Sequence, residues 1–314
     1  MKKTIIVIGS RGSELALWQS HFVKKELEKI NKQISVEIRI IKTKGDKILD
    51  VALSKIGDKS LFTKELEIEL LNKSIDIAVH SLKDLQTKIP AGLLLGAVSK
   101  RHAVEDVLIA REKGTTINNI RENAVIATGS LRRKSQLLHI RPDIKVEEIR
   151  GNVPSRIEKF FKSKWDGIIL ARAGVERLKL HKFISSVIKK DEILPAVSQG
   201  ALGIEVHEDN KLVIEILNSI HDDDTYSAIS AEREFLRTLE GGCQVPIGAY
   251  AEVKPNGLYI DAYVGTIDGS LAFRSKLKGS KFNPQKLGNK LAKNLIKAGA
   301  KEILDDIYHN MRNK

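Results

Sequence analysis

The sequence predicts an α/β protein that ends in a small α+β unit. Three observations point there. Through the first two thirds of the chain, short apolar runs alternate with helix-period patterns, as in open sheets covered by helices on both faces. Beyond residue 240 the alternation stops, and three strand-like runs follow one another, separated by the turn signals Pro255-Asn256-Gly257 and Asp268-Gly269. The 314 residues are 42% hydrophobic and 30% charged, the composition of an ordinary soluble globular protein and a length for two or three domains.

Each element follows from a local pattern. Ile5–Ile8 reads as a first buried strand; its apolar run is too short for a signal peptide, and Arg11 and Glu14 follow at once. Ser13 caps a helix with Leu15, Trp18, Phe22 and Leu27 as its apolar face. Val36–Ile40 alternates as a strand, Phe62–Leu71 is an amphipathic helix, and Ile75–Val79 and Leu93–Val98 are strands. A second series holds strands Val107–Ala110, Val125–Ala127, Val146–Ile149 and Ile168–Leu170, with helices near 131–140, 153–162 and 174–180. In the last third, 225–240 is one helical pattern. Strands Ile247–Glu252, Leu258–Val264 and Leu271–Leu277 come next. One long amphipathic helix closes the chain, with Leu287, Leu291, Leu295, Ile303 and Ile307 on one side.

Charge and composition narrow the function. Lys and Arg (53) exceed Asp and Glu (40), giving a net charge of +13 and favouring an acidic partner. Nucleic acid is the default candidate, yet aromatics are only 5% and no zinc-finger or RRM signature is present; a polyanionic small molecule satisfies the same charge argument. Charged residues interrupt every apolar run, which argues against a membrane span. The eight His form no HExxH and His221-Asp-Asp-Asp224 reads as a solvated helix cap, so no metal is expected. A single cysteine and no export signal fit the cytoplasm.

Four segments carry candidate chemistry. Arginines collect at strand ends: Arg11 in Gly-Ser-Arg-Gly-Ser, Arg132 and Arg133 in Thr-Gly-Ser-Leu-Arg-Arg, and Arg150 and Arg156 in Arg-Gly-Asn-Val-Pro-Ser-Arg. Ligands of open α/β sheets bind at strand ends, where helix N-termini offer free N–H groups and Thr128, Ser130 and Ser155 add hydroxyls. A planar guanidinium suits a carboxylate or phosphate; the alternative is that each Arg pairs with a neighbouring Asp or Glu. In Ile77-Ala-Val-His-Ser-Leu-Lys-Asp84 a buried strand runs out into Ser81, Lys83 and Asp84. Lys83 suits an anion, and Asp84 suits an acid, a fixed charge beside a developing cation, or simply a turn cap. Lys55, Gly57 and Lys59 form a basic, glycine-containing loop before Phe62, a lid or a solvated surface loop. The only cysteine, Cys243, sits in Gly-Gly-Cys-Gln-Val-Pro, without a CxxC neighbour. It is a nucleophile or attachment point, or else a small buried hydrophobe.

Taken together, these segments resemble the porphobilinogen deaminase (hydroxymethylbilane synthase) family. The resemblance runs from Ser10-Arg-Gly-Ser-Glu-Leu-Ala-Leu-Trp-Gln19 through Leu61-Phe-Thr-Lys-Glu-Leu-Glu67, Ala78-Val-His-Ser-Leu-Lys-Asp84, Gly129-Ser-Leu-Arg-Arg133, Arg150-Gly-Asn-Val153 and Leu194-Pro-Ala-Val-Ser-Gln-Gly-Ala201 to Glu240-Gly-Gly-Cys-Gln-Val-Pro-Ile-Gly248. It implies a transferase of tetrapyrrole biosynthesis that joins four porphobilinogen molecules head to tail, releases four ammonia and yields a linear hydroxymethylbilane. It implies a dipyrromethane cofactor, made from substrate and held by a thioether to Cys243. It also implies two similar α/β domains of the type II periplasmic-binding-protein kind (1–99 with 200–220, and 100–199), an active-site cleft between them, and a small α+β domain (221–314) carrying the cysteine loop. A cytoplasmic monomer is expected.

The same resemblance assigns roles. Asp84 protonates the leaving amine and then stabilises the azafulvene cation. Cys243, Ser81, Lys83, Asp84, Thr128, Ser130, Arg132, Arg133 and Arg156 hold the cofactor; Arg11, Ser13, Arg150, Arg156, Arg177 and Gln199 hold substrate; Lys55, Gly57, Lys59 and Phe62 form the lid. The acetate and propionate on each pyrrole make the growing chain a polyanion, which accounts for arginines without phosphate or nucleic acid. Departures from the family pattern fall at Val7, Glu14, Gln86, His102-Ala-Val-Glu and Ser198, the last in a hinge segment where glycine is usual. None removes the cysteine, the aspartate or the main arginines.

Overall fold

The computed structural model describes residues 4–47, 62–241 and 245–312. The expected lid residues Lys55, Gly57 and Lys59 and the sole cysteine, Cys243, lie outside the described residues. The chain forms two compact units, one of residues 1–49, 58–102 and 200–226, the other of 50–57, 103–199 and 227–314.

The first unit contains β1 (Thr4–Ser10), α1 (Glu14–Ile30), β2 (Ile34–Ile40), α2 (Lys44–Lys47), α3 (Lys64–Leu71), β3 (Ile77–Ser81) and β4 (Leu93–Val98), to which the returning chain adds β10 (Leu202–His207) and α7 (Lys211–Leu217). Its sheet has the order β2-β1-β3-β10-β4. The first three strands are parallel and β10 is antiparallel to both its neighbours. Period-two alternation feeds two cores. Ile77 and Val79 join Val23 and Leu27 of α1 and Val213 and Leu217 of α7 on one face. Ala78 joins Leu66 and Leu70 of α3 on the other. Each such Leu or Ile, fully buried, contributes about 1.5–3 kcal/mol.

Ser13 caps α1 as expected, its Oγ accepting from Ala16 N at 3.3 Å. The buried face differs from the expected one: it is Ala16, Gln19, Ser20, Val23 and Leu27. Small Ala16 and Ser20 let the helix approach the sheet. The larger Trp18 and Phe22 lie on the flank and stack on each other, 5.6 Å between centroids and 7° from parallel. The sequence reading also passed over β10 and α7. In β10 the buried run is interrupted by Glu205, which lies beside the buried His80, Nε2 to Oε2 2.9 Å.

The second unit repeats the sheet. It holds β5 (Asp106–Ala110), β6 (Val125–Ala127), α4 (Leu131–Ile140), β7 (Lys145–Glu147), α5 (Val153–Lys162), β8 (Gly167–Ala171), α6 (Arg172–Arg177) and β9 (Ser186–Ile188). The order is β7-β6-β8-β5-β9, with β7, β6 and β8 parallel and β5 antiparallel to both β8 and β9. In both sheets the strand inserted fourth is the first one after the chain crosses over, and it alone runs antiparallel. The remaining four stand in the order second, first, third, fourth. Two sheets of this one topology, plus a three-stranded sheet, are the two similar type II periplasmic-binding-protein-like domains and small α+β part that the sequence led us to expect. α4 packs on one face with Leu108, Ile126 and Ile169; Phe160 of α5 and Val175 of α6 pack on the other with Val107, Ile109 and Ile168.

The rest of the second unit comprises most of α8 (Asp223–Thr238), the antiparallel sheet β11 (Ile247–Lys254), β12 (Gly257–Gly265) and β13 (Ala272–Gly279), and helices α9 (Pro284–Leu295) and α10 (Lys301–Arg312). Their shared core includes Phe235, Ala249, Ile260, Leu291 and Ile303. The single closing helix expected from the sequence is two helices joined by a π turn, Ile296–Ala300, in which Gly299 takes φ 110°. Among the described residues no helix is long and apolar enough to cross a membrane.

The buried carboxylate of Glu232 ties α8 to this frame. It accepts from Ala251 N of β11 and from Ser198 N, each at 2.7 Å. Ser198 holds φ 65°, the left-handed region that favours glycine, and its hydroxyl is buried with no hydrogen-bond partner. Glycine is what the resemblance noted from the sequence implies at this position. Ser198→Gly is therefore expected to stabilise the protein by about 1 kcal/mol, relief of the left-handed strain and of the unmet hydroxyl outweighing the entropy of glycine. Thermal or urea unfolding of the two proteins checks this; an unchanged or lowered midpoint would show that the serine is unstrained.

Candidate active site

In the first unit the site grows from the end of β3. Ile77–His80 are wholly buried, and the chain leaves the sheet through a 3-10 turn, Leu82–Asp84. Leu82 is fully buried and its N–H donates to Ala201 O at 3.1 Å, which fixes the turn to the base of β10. Lys83 is half-buried and Asp84 exposed. No described residue pairs with the Asp84 carboxylate. Ser81 Oγ accepts from Gln19 Nε2 of α1 at 2.6 Å, and Gln19 is itself buried. At the end of β1, Arg11 lies with its guanidinium carbon 4.2 Å from the Phe62 ring centroid, a cation–π contact. Ser13, expected on substrate, has its oxygen engaged as the α1 cap and keeps its O–H as a donor.

In the second unit the site grows from the ends of β6, β7 and β8. Thr128 is buried, its Oγ1 accepting from Ser130 N at 3.3 Å. Ser130 caps α4 by accepting from Arg133 N at 3.5 Å. A Cβ on Gly129 would stand 2.7 Å from Ile149 O, so only glycine lets this loop lie against the chain leaving β7. Arg150 follows there, 3.6 Å from Glu148, and Arg156 Nε donates to Gly151 O at 2.7 Å. Burial pushes the Arg150 guanidinium down, against the pull of Glu148, and pushes Arg177 at the end of α6 down to about 10.

Arg132 and Arg133 are almost fully buried, and both end on one carboxylate that the sequence reading missed. Arg132 Nη2 lies 2.8 Å from Asp106 Oδ2, and Arg133 Nη2 2.7 Å from Asp106 Oδ1. Their Nη1 atoms donate to Leu194 O at 2.6 Å and Ile169 O at 3.0 Å. Burial favours a neutral Asp106, yet the two guanidinium groups outweigh it and hold the carboxyl well below its usual range. Gln199 was expected on substrate. It is instead 1% exposed and donates to Val104 O at 2.7 Å and Asp106 Oδ1 at 3.0 Å, so it supports the aspartate. The signal for Asp106 was available: an acid heading a strand buried throughout must have a cationic partner.

The donors left over fit an anionic ligand rich in carboxylates. Arg132 Nε, Arg133 Nε and Arg150 Nη2 are buried with no hydrogen-bond partner. Buried N–H groups of this kind are costly unless a ligand meets them. A dipyrromethane, with acetate and propionate on each ring, has the acceptors they lack.

Comparison with known proteins agrees with the geometry. Residues 6–215 match the family model described as porphobilinogen deaminase, dipyromethane cofactor binding domain, and residues 226–297 match porphobilinogen deaminase, C-terminal domain. A porphobilinogen deaminase of Carboxydothermus hydrogenoformans is 50% identical over 98% of this chain and 98% of its own. Another, from Desulforamulus reducens, is 47% identical over 96% of this chain and 97% of its own. Among solved structures, the periplasmic VFT2 domain of Bordetella pertussis BvgS overlaps 69% of this chain and 86% of its own, at 13% identity and a TM-score of 0.41. With both models matched and about half of all positions shared over nearly the full length, the chain belongs to the porphobilinogen deaminase family.

Proposed function

We propose that this chain is a hydroxymethylbilane synthase: it joins four porphobilinogen molecules head to tail, with loss of four ammonia, on a dipyrromethane held through Cys243. The observation that carries the proposal is the set of buried guanidinium N–H groups without partners, on Arg132, Arg133 and Arg150, beside the capped start of α4. They answer a ligand with many carboxylates, and the exposed Asp84 at the end of β3 supplies a carboxyl group in another of the family's motifs.

The dipyrromethane, when bound, supplies the nucleophilic pyrrole carbon from which the chain is extended. Thr128, Ser130, Arg132, Arg133 and Arg156, with Ser81 and Lys83, hold its side-chain carboxylates. Arg11, Ser13, Arg150 and Arg177 hold those of porphobilinogen. Asp84 gives its proton to the aminomethyl nitrogen, so that ammonia leaves. Its carboxylate then faces the cation left on the substrate ring and takes back a proton when the new carbon–carbon bond restores the pyrrole. Positioned proton transfer of this kind is worth roughly a hundred- to ten-thousand-fold. Lys55, Gly57, Lys59 and Phe62 act as a cover, the chain divides into domains 1–99 with 200–220, 100–199 and 221–314, and the protein works as a monomer in the cytoplasm.

Two substitutions test the assignment. Asp84→Asn keeps the fold and the attached dipyrromethane, seen by intact mass, but lowers ammonia release by about a hundredfold or more. Near-normal release from porphobilinogen would remove Asp84 from the mechanism. Cys243→Ser gives a chain whose intact mass is that of the bare polypeptide under conditions where the parent protein gains two pyrrole rings. A stable two-ring adduct on the serine variant would refute attachment through sulfur.

A further inference from the structure

Three residues named for ligand binding converge on a carboxylate that has no assigned part. Asp106 opens β5 and is fully buried. Its Oδ2 takes Arg132 Nη2, and its Oδ1 takes both Arg133 Nη2 and Gln199 Nε2. The far amino group of each arginine is tied to a backbone carbonyl, Leu194 O or Ile169 O. Each guanidinium is therefore held at two points, and neither can turn without breaking a buried hydrogen bond.

We propose that Asp106 is a positioning residue that sets Arg132 and Arg133 before the ligand arrives and leaves their cluster with a single net positive charge for one ligand carboxylate. This rests on the proposal that the two arginines meet the dipyrromethane. Two cations and one anion sum to +1, and with no ligand the surplus stays buried. Mutual repulsion pushes in the same direction: burial lowers the Arg132 pKa, Asp106 opposes, and Arg133 lowers it further. On each arginine Nη1 and Nη2 carry one hydrogen bond apiece, to the backbone and to Asp106, and Nε has no partner.

The test compares apo chains, made in cells that cannot form porphobilinogen and then supplied with it. Intact mass follows the gain of two rings, and ammonia release follows turnover of the chains that have loaded. Asp106→Asn is expected to load roughly tenfold to a hundredfold slower, because unclamped guanidiniums lose their preset geometry. Its loaded fraction turns over at close to the parent kcat, because Asp84 is untouched. Asp106→Glu, which keeps the charge, recovers part of the loading rate. Loading of Asp106→Asn at the parent rate, or loading and kcat falling together, would overturn the positioning role. The apo parent gives a measurement that needs no folded Asp106 variant. Side-chain nitrogen NMR should show separately resolved Nη protons for two arginines, assigned by their loss in Arg132→Lys and Arg133→Lys. Averaged signals for these two would mean that they are not held in advance, and the proposal would fall. A parent chain that gains no rings at all would instead overturn the function proposed above.

Discussion

The second unit depends on one electrostatic constraint: two guanidinium groups are buried against a single carboxylate. Asp106 is fully buried and Arg132 and Arg133 nearly so. Removing such charges from water costs several kcal/mol each, and only close pairing with complete hydrogen bonding recovers it. The consequences reach far along the sequence. The strand order brings β5, where Asp106 sits, beside β8, which provides Ile169 O. Gln136, one turn further along α4, donates to Leu194 O at 3.1 Å and accepts from Leu194 N at 2.8 Å. The segment that carries Leu194 goes on to Pro195, whose carbonyl accepts from Ala249 N of β11 at 3.1 Å. A local charge balance is in this way continuous with the packing of the small C-terminal sheet.

The duplicated sheet explains why reactive side chains gather where they do. In each unit the parallel strands end at one edge, and the chain there passes into a helix start or a tight turn. Helix starts give unmet N–H groups, and Ser13, Ser130 and Asn152 cap three of them. The antiparallel fourth strand then inserts an acid into an otherwise apolar layer, Glu205 in β10 and Asp106 in β5. Each acid faces a basic side chain of a neighbouring element: His80 for one, the α4 arginines for the other. At Asp106 two guanidinium groups meet one carboxylate, and that imbalance is what a ligand anion can answer.

Much of this was legible in the sequence. Apolar runs gave β4 and β6, helical periodicity gave the places of α4 and α5, and the hydroxyl cap at Ser13 gave the start of α1. Ordered motifs gave the family. What escaped has physical reasons. The α1 face was assigned by side-chain size, whereas close packing on a sheet selects small residues such as Ala16 and Ser20. β9 has three residues, too few for a period to appear. β10 was hidden because a buried Glu breaks an apolar run, and its partner His80 stands 125 positions away. Gly299, which divides the closing helix, sits in a stretch whose apolar spacing is otherwise unbroken. Gln199 was expected on substrate; in the fold it donates to Asp106, a residue that only the tertiary pairing brings to notice.

A buried ion cluster is weak ground for stability. Well-packed apolar side chains of similar volume commonly stabilise a protein as much or more. An arrangement that buries two arginines, leaves an N–H on each unmet and commits a glutamine to support their counter-ion is therefore poorly explained by folding alone. Glu232 offers the contrast within the same unit. It too is a buried carboxylate, but it accepts backbone N–H groups from Ser198 and Ala251 and joins two segments of the frame. Asp106 accepts instead from the side chains of Arg132, Arg133 and Gln199. The difference in partners separates a carboxylate that joins backbone segments from one that orders other side chains, which is what the proposed positioning role requires.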